Sequence, residues 1–162
     1  MIVLGWSVFK TRFYRAAIPA KIDLTFGFAT TGSNMSLWEA MLPLRPKACG
    51  GAIFGLSNTM VTALQDHGLG VLDAARQGRG YADTTDRRFF RYSYKPWQPT
   101  PLPPEWTSQG AWYGLNCMDL GYGFVRSLVE AAQVPGSFYT TGPSSMLLIV
   151  PSLQILVYTY TS

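Results

Sequence analysis

Charged residues are scarce in this sequence. Asp, Glu, Lys and Arg make up 14% of its 162 residues, whereas ordinary soluble domains contain about 25%. The hydrophobic share of 48% is unremarkable in comparison. A free monomer normally needs a charged surface to stay dispersed in water. The composition therefore predicts one domain, residues 1–162, that covers much of its surface with other protein subunits or with lipid.

The residues needed for catalysis and metal binding are also scarce. His67 is the only histidine, and its neighbour Asp66 would not face it on a helix, so no nucleophile and base are paired. A zinc site needs about four ligands, and the sequence has no CxxC pair. The glycine motifs that begin at Gly68 and Gly121 lack the third glycine of a dinucleotide-binding loop. We predict a protein that is not an enzyme, with no catalytic, cofactor-binding or metal-binding residues.

Only two cysteines are present, and both lie in apolar surroundings. Buried free cysteine is common and behaves as a small hydrophobic residue. For Cys49 and Cys117 we therefore expect two reduced thiols in preference to one disulfide.

Composition divides the chain into five segments. They are a basic N-terminal segment 1–47, a candidate helix 48–65, a polar and Pro-rich connector 66–105, a candidate helix 109–132 and an uncharged tail 133–162. A helix over residues 48–65 would be about 27 Å long, which is close to the thickness of a bilayer's hydrocarbon core. Four polar residues make this span marginal: Ser57, Asn58, Thr59 and Thr62.

Both candidate helices carry residues that suggest packing against protein. GxxxG spacing lets two membrane helices approach closely, and it predicts helix-packing roles for Gly51, Gly55, Gly110 and Gly114. Asp119 and Arg126 would share one face of a helix, and Arg126 and Glu130 have i,i+4 spacing. We predict that Asp119, Arg126 and Glu130 face a protein partner.

Other segments indicate β-structure. Ile22, Leu24, Phe26 and Phe28 alternate with polar or small residues, which is typical of a half-buried strand. The tail has two interpretations, which remain open. It is either one membrane helix kinked at Pro151, or two strands, "MLLIV" and "LQILVYTYT", separated by that proline.

The connector predicts two surface features. Five prolines in "YKPWQPTPLPPEW" exclude a regular helix or a central strand, so we expect an extended strap over a neighbouring subunit. Arg87, Arg88, Arg91 and Lys95 form a basic docking loop, for which a solvated loop is the alternative. Protein subunits are favoured over nucleic acid as its partner.

The segment Gly110–Cys117, "GAWYGLNC", with Arg126, Glu130 and the later "VPGSFYTTG", resembles the second membrane helix and following loop of the Tim17/Tim22/Tim23 inner-membrane family. That family includes the B14.7 accessory subunit of respiratory complex I. "ACGGAIFG" at residues 48–55 is similar to the family's first Gly-rich helix. The resemblance implies helix packing in the mitochondrial inner membrane and no catalysis.

Two expectations follow. The favoured one is a mainly α protein with two or three marginal membrane helices, a short β-like N-terminal segment and a Pro-rich strap. It would be a non-catalytic structural accessory subunit of a large organellar membrane complex, such as a respiratory complex, in contact with lipid and other subunits. The alternative is an α+β or β-rich shell protein of a virion or phage particle, as capsid, tail or connector.

Overall fold

The computed structural model describes residues 11–30, 49–108, 110, 112 and 114–161. Within them the strands are β1 (Leu24–Thr30), β2 (Cys49–Leu56), β3 (Gln98–Pro99), β4 (Phe138–Thr141), β5 (Ser145–Val150) and β6 (Ile155–Thr161). The α-helices with defined ends are α1 (Asn58–His67), α2 (Pro104–Thr107) and α3 (Tyr122–Ala132). Residues 11–15 are also helical, and short 3₁₀ helices lie at Gly68–Val71, Phe90–Tyr92, Leu115–Cys117 and Pro151–Leu153.

The strands form one antiparallel sheet in the order β1-β2-β6-β5-β4-β3. The expectation of a mainly α protein with membrane helices is therefore wrong. No helix in the described part of the chain is both long and apolar enough to cross a bilayer. The basic segment 1–47 is described only over residues 11–30, so most of that segment lies outside the structure.

The candidate helix 48–65 is instead a strand followed by a helix. Gly50, Gly51 and Gly55 are poor helix formers, and the segment from Cys49 to Leu56 pairs with β1 on one side and β6 on the other. Ser57 then begins α1, because its hydroxyl oxygen accepts a hydrogen bond from the Met60 amide at 3.1 Å. This is the usual chemistry of a helix N-cap.

The uncharged tail forms the hairpin β5–β6, so the interpretation as two strands is correct. Pro151 lies in the connecting 3₁₀ helix, and Gln154 takes the left-handed conformation that lets the chain turn back. Residues Met146–Val150 are all buried. A strand reads as a continuous apolar run when both of its faces are covered, and that is why the tail resembled a membrane segment.

Two hydrophobic cores lie on opposite faces of the sheet. Alternate residues of β2, β5 and β6 point to each face, which gives each core its own set of strand residues. The first core joins Phe54, Ile149 and Leu156 to residues 14–24 and 60–97. The second joins Ile53, Leu148 and Val157 to residues 102–132. The molecule thus has three layers, with the sheet in the middle.

A β-bulge changes the alternation predicted for β1. The pairing register shifts between Leu24 and Gly27, so Leu24 remains buried while Phe26 is 69% exposed. A bulge adds a residue to one strand and turns the following side chains to the other face. Gly27 then faces the Phe54 ring so closely that a Cβ atom there would overlap the ring.

The Pro-rich strap packs on the protein's own sheet. Trp97 is buried in the first core and donates a hydrogen bond from Nε1 to the Ala75 carbonyl at 2.7 Å. Leu102 is buried in the second core, and its amide donates to the Ala132 carbonyl. The strap therefore passes from one face of the sheet to the other and includes β3. A contact between the strap and a neighbouring subunit stays a prediction.

A disulfide joins Cys49 of β2 to Cys117, with Cα atoms 5.7 Å apart. The expectation of two reduced thiols is therefore wrong. Among the described residues of the candidate helix 109–132, only α3 is a regular α-helix, and Trp112, Leu115 and Met118 before it pack in the second core.

Candidate interaction surfaces

Two grooves lie at the same end of the sheet, on either side of the β4–β5 turn at residues 142–144. The larger has a volume of about 450 Å³, and we call it the tryptophan groove. Its described lining residues are Glu105, Trp106, Trp112, Thr141, Gly142, Pro143, Ser144, Ser145, Met146, Thr159, Tyr160 and Thr161. This volume lies in the range of small-ligand and side-chain binding sites.

The tryptophan groove combines fixed aromatic rings with a single charge. Trp112 is buried, and its Nε1 donates a hydrogen bond to Thr159 Oγ1 at 3.3 Å. Trp106 is half-buried and packs edge-on against Tyr139. Glu105 is exposed and is the only charged residue in the described lining. An aromatic site with one carboxylate favours a cationic group, through the ring faces and the negative charge together.

The second groove, on the other face, is smaller and basic. It has a volume of about 160 Å³, and we call it the tyrosine groove; its described lining is Phe13, Tyr14, Arg91, Tyr92, Ser144, Tyr158 and Tyr160. The hydroxyl oxygens of Tyr14 and Tyr160 lie 3.0 Å apart. Burial, and then this hydrogen bond, raise the pKa of Tyr14 above its ordinary value. Arg91 is the only charged residue in the described lining.

The basic docking loop is exposed, as expected for Arg87, Arg88, Arg91 and Lys95. Arg88 forms an ion pair with Asp86 at 2.9 Å and lies over the Tyr81 ring. The hydrogen bond from Arg88 holds the pKa of the Asp86 carboxyl below its usual range. Arg87 and Arg91 form no ion pair with any described residue, so their charges are free for a partner. Phe90, beside them, is 75% exposed.

Arg79, in contrast, has a structural role. Its guanidinium group donates hydrogen bonds to the carbonyls of Ile18, Pro19 and Ile22. Burial lowers its pKa. It therefore holds residues 18–22 in place and does not belong to the docking loop.

Charge is divided between the two outer layers. The layer over the first core, residues 11–23 and 57–97, is basic: Arg12, Arg15, Lys21, Arg76, Arg79, Arg87, Arg88, Arg91 and Lys95 outnumber Asp23, Asp66, Asp73, Asp83 and Asp86. The layer over the second core, residues 100–136, is acidic: Glu105, Asp119 and Glu130 outnumber Arg126. The described part of the molecule therefore has a basic face and an acidic face.

The predicted helix-packing glycines have other roles. Gly51 and Gly55 lie in β2, and a Cβ atom at Gly51 would overlap the Tyr158 carbonyl oxygen and lie 2.9 Å from Met118 Sδ. Gly110 and Gly114 have φ angles of 105° and 100° and lie in turns. GxxxG is a contact motif only on helices, so the helix-packing interpretation is wrong at all four positions.

The predicted partner-facing residues lie on the acidic layer. Arg126 Nε and Glu130 Oε1 are 3.0 Å apart on the exposed side of α3, which confirms the i,i+4 pair. Asp119 is exposed but precedes α3, so it does not share a helical face with Arg126. Whether these residues meet a partner stays a prediction.

The two edges of the sheet differ sharply. β3 forms one edge with only two residues, and its Pro99 has no N–H to offer another strand. β1 forms the other edge with seven residues, "LTFGFAT", none of them charged. Natural proteins usually protect an edge by shortness, proline or charge. Among the described residues, the bulge is the only feature of β1 that opposes pairing with a strand of another chain.

Sequence reasoning missed the tryptophan groove and the β1 edge, which pairs with no other strand among the described residues. The lining of the groove comes from three parts of the chain that are far apart in sequence, so no local motif marks it: Glu105, Trp106 and Trp112; residues 141–146; and residues 159–161. Within the part of the chain that the structure describes, no cluster of three or more His, Cys, Asp or Glu residues is suited to hold a metal ion.

Comparison with known proteins gives no relative. The chain matches no protein-family model, no curated protein and no solved structure. The resemblance to the Tim17/Tim22/Tim23 family is therefore neither supported nor contradicted by these comparisons. Of the residues that suggested it and that the structure describes, residues 49–55 lie in β2, residues 138–141 in β4, residues 115–117 in a 3₁₀ helix, and Arg126 and Glu130 in α3.

Proposed function

We propose that this protein is a non-catalytic structural subunit of a virion or phage particle, in which copies assemble through the free edge of β1. The observation that carries the proposal is the contrast between the two sheet edges. One edge ends in a two-residue strand with a proline, and the other presents seven uncharged residues. An edge of this kind is suited to pair with a strand of another chain.

Exposed aromatic side chains support the same proposal. Phe26 on β1 is 69% exposed and Phe90 is 75% exposed. Aromatic residues are enriched at the buried centres of protein interfaces. The low charged fraction of 14% also suits a surface that assembly hides.

The disulfide supports a location outside a reducing cell interior. Disulfides persist on virions and in secreted proteins, whereas they are rare where glutathione keeps thiols reduced. Cys49 and Cys117 link β2 to the acidic layer, next to the β1 edge strand. The bond would keep this part of the subunit rigid in a particle exposed to oxygen.

The organellar membrane subunit is less well supported. That interpretation depended on membrane helices. The candidate helix 48–65 is instead a strand followed by a short helix, and residues 146–161 lie mostly in β5 and β6. The basic and acid-free N-terminal stretch 1–21 has a composition shared by organelle import signals. Residues 1–10 of it lie outside the described part of the chain.

Sedimentation velocity of the oxidised chain over a range of concentrations tests the proposal. The wild-type protein should form species larger than the 17.9 kDa monomer. Phe26→Lys should shift the population towards monomer, because a charge on an edge strand opposes pairing. Val134→Lys is the matched control, since Val134 is also exposed but lies far along the chain, after α3. A wild-type protein that stays monomeric at every concentration would contradict the proposal.

A further inference from the structure

We propose that the tryptophan groove of one copy binds the exposed tip of the basic docking loop, Arg87 to Arg91, of a second copy. This inference rests on the proposed function, because it describes a second contact between subunits of the same assembly. It concerns a different surface from the β1 edge.

Assembly into a shell needs this second contact. Pairing β1 with the β1 of another copy joins identical surfaces, and such an interface closes as a dimer. A shell or filament needs a further contact, and a contact between two different surfaces can repeat from copy to copy. The tryptophan groove and the basic loop are different surfaces on opposite layers of the subunit.

The charges of the two surfaces are complementary. Glu105 is the only charged residue in the described lining of the groove, and it belongs to the acidic layer. Arg87 and Arg91 belong to the basic layer and form no ion pair with any described residue. Opposite charges across an interface favour the correct partner and repel a wrong orientation.

The groove also fits an arginine in shape and chemistry. A guanidinium group stacks on tryptophan rings and forms paired hydrogen bonds with a carboxylate. The groove offers the half-buried Trp106 ring for stacking and the exposed Glu105 carboxylate for the hydrogen bonds. Phe90, 75% exposed at the loop tip, would add an aromatic contact beside the arginine.

The loop tip is already ordered within one subunit, before any contact with a second copy. Residues Phe90–Tyr92 form a 3₁₀ helix, and the Arg88–Asp86 ion pair and the Arg88–Tyr81 ring contact hold the preceding turn. Tyr81 stacks on Tyr92 with ring centroids 4.0 Å apart. A loop that is already ordered loses less conformational entropy on binding.

A charge exchange between two variants tests the inference. Glu105→Lys leaves a copy with a basic groove and a basic loop, and the double variant Arg87→Glu, Arg91→Glu leaves one with an acidic groove and an acidic loop tip. Each variant alone should self-associate at least about tenfold more weakly than the wild type, because like charges then meet. An equimolar mixture should recover association, since each groove then meets a loop of opposite charge.

Controls separate this contact from folding and from the β1 edge. Gln133→Lys and Lys21→Glu change the charge of exposed residues on the same two layers outside the groove and the loop tip, and both should associate like the wild type. Far-UV circular dichroism should be unchanged in all four variants. Sedimentation velocity of the Phe26→Lys variant under the same conditions measures how much the β1 edge alone contributes to self-association.

Two results would overturn the inference while leaving the proposed function intact. In one, both charge variants associate like the wild type although Phe26→Lys does not. In the other, both variants lose association and their mixture does not recover it. A wild-type chain that never associates would contradict the proposed function itself.

Discussion

Glu105 and Arg91 line two neighbouring grooves that share Ser144 and Tyr160. The acidic groove opens on the face of the second core and the basic groove on the face of the first. One end of the sheet thus presents opposite charges on its two sides. This polarity suits a subunit that stacks with copies of itself in one direction.

The disulfide should be a large contributor to stability. Its cysteines are 68 residues apart, and closing a loop of this length in the unfolded chain stabilises the fold by about 4 kcal/mol in the chain-entropy model. Reduction should lower the free energy of unfolding in urea by up to that amount. The double variant Cys49→Ala, Cys117→Ala should show no response to reductant. Two titratable thiols in the folded, unreduced protein would contradict the bond.

Two glycine substitutions should have opposite effects on stability. Gly51→Ala places a Cβ atom against the Tyr158 carbonyl oxygen and near Met118 Sδ, and overpacking of this kind costs about 1–3 kcal/mol. Gly123→Ala meets nothing within 4 Å and lies in α3, where alanine is favoured by about 0.5 kcal/mol. Urea unfolding of both variants measures the difference. Equal effects would argue against the close contact of β2 with the segment that contains Met118.

Alkaline pH should destabilise the fold through its buried tyrosines. Burial raises the pKa values of Tyr14, Tyr94 and Tyr158 above the ordinary 10.0. The folded state therefore keeps these protons while the unfolded chain loses them, so the stability they provide is complete below pH 10 and falls as the pH rises above it. The loss approaches about 1.4 kcal/mol per pH unit for each such tyrosine.

Tyr158→Phe tests this explanation directly. The variant removes one buried phenol, so its stability should fall less steeply between pH 10 and 11 than that of the wild type. Tyr122→Phe is the matched control, because Tyr122 is 82% exposed and its loss should leave the slope unchanged. Identical slopes for the wild type and Tyr158→Phe would contradict the prediction.

Local sequence pattern predicted some strands and concealed others. The alternation at Ile22–Phe28 marked β1 correctly, but the bulge that exposes Phe26 has no local signal. β2 and the β5–β6 hairpin are buried on both faces, so their apolar runs have no period of two and resemble membrane segments. In the described part of the predicted helices 48–65 and 109–132, the α-helical residues are those from Asn58 onward in the first and Tyr122–Ala132 in the second.

The candidate site could not be predicted because its parts are distant in sequence. Trp106 and Thr159 meet in one groove across more than fifty residues of chain. The exposure of the basic docking loop, in contrast, could be predicted from its own clustered Arg and Lys residues. Clusters of exposed charge are visible in a sequence, whereas concave surfaces depend on how the layers pack on the sheet.

Hydrogen exchange of the β1 amides at low and high protein concentration tests the central claim most directly. At low concentration, the Leu24–Thr30 amides that point away from β2 should exchange rapidly, because they have no partner among the described residues. At high concentration the same amides should become protected, as each edge pairs with another copy. Rapid exchange of these amides in a sample shown to be assembled would contradict assembly through β1.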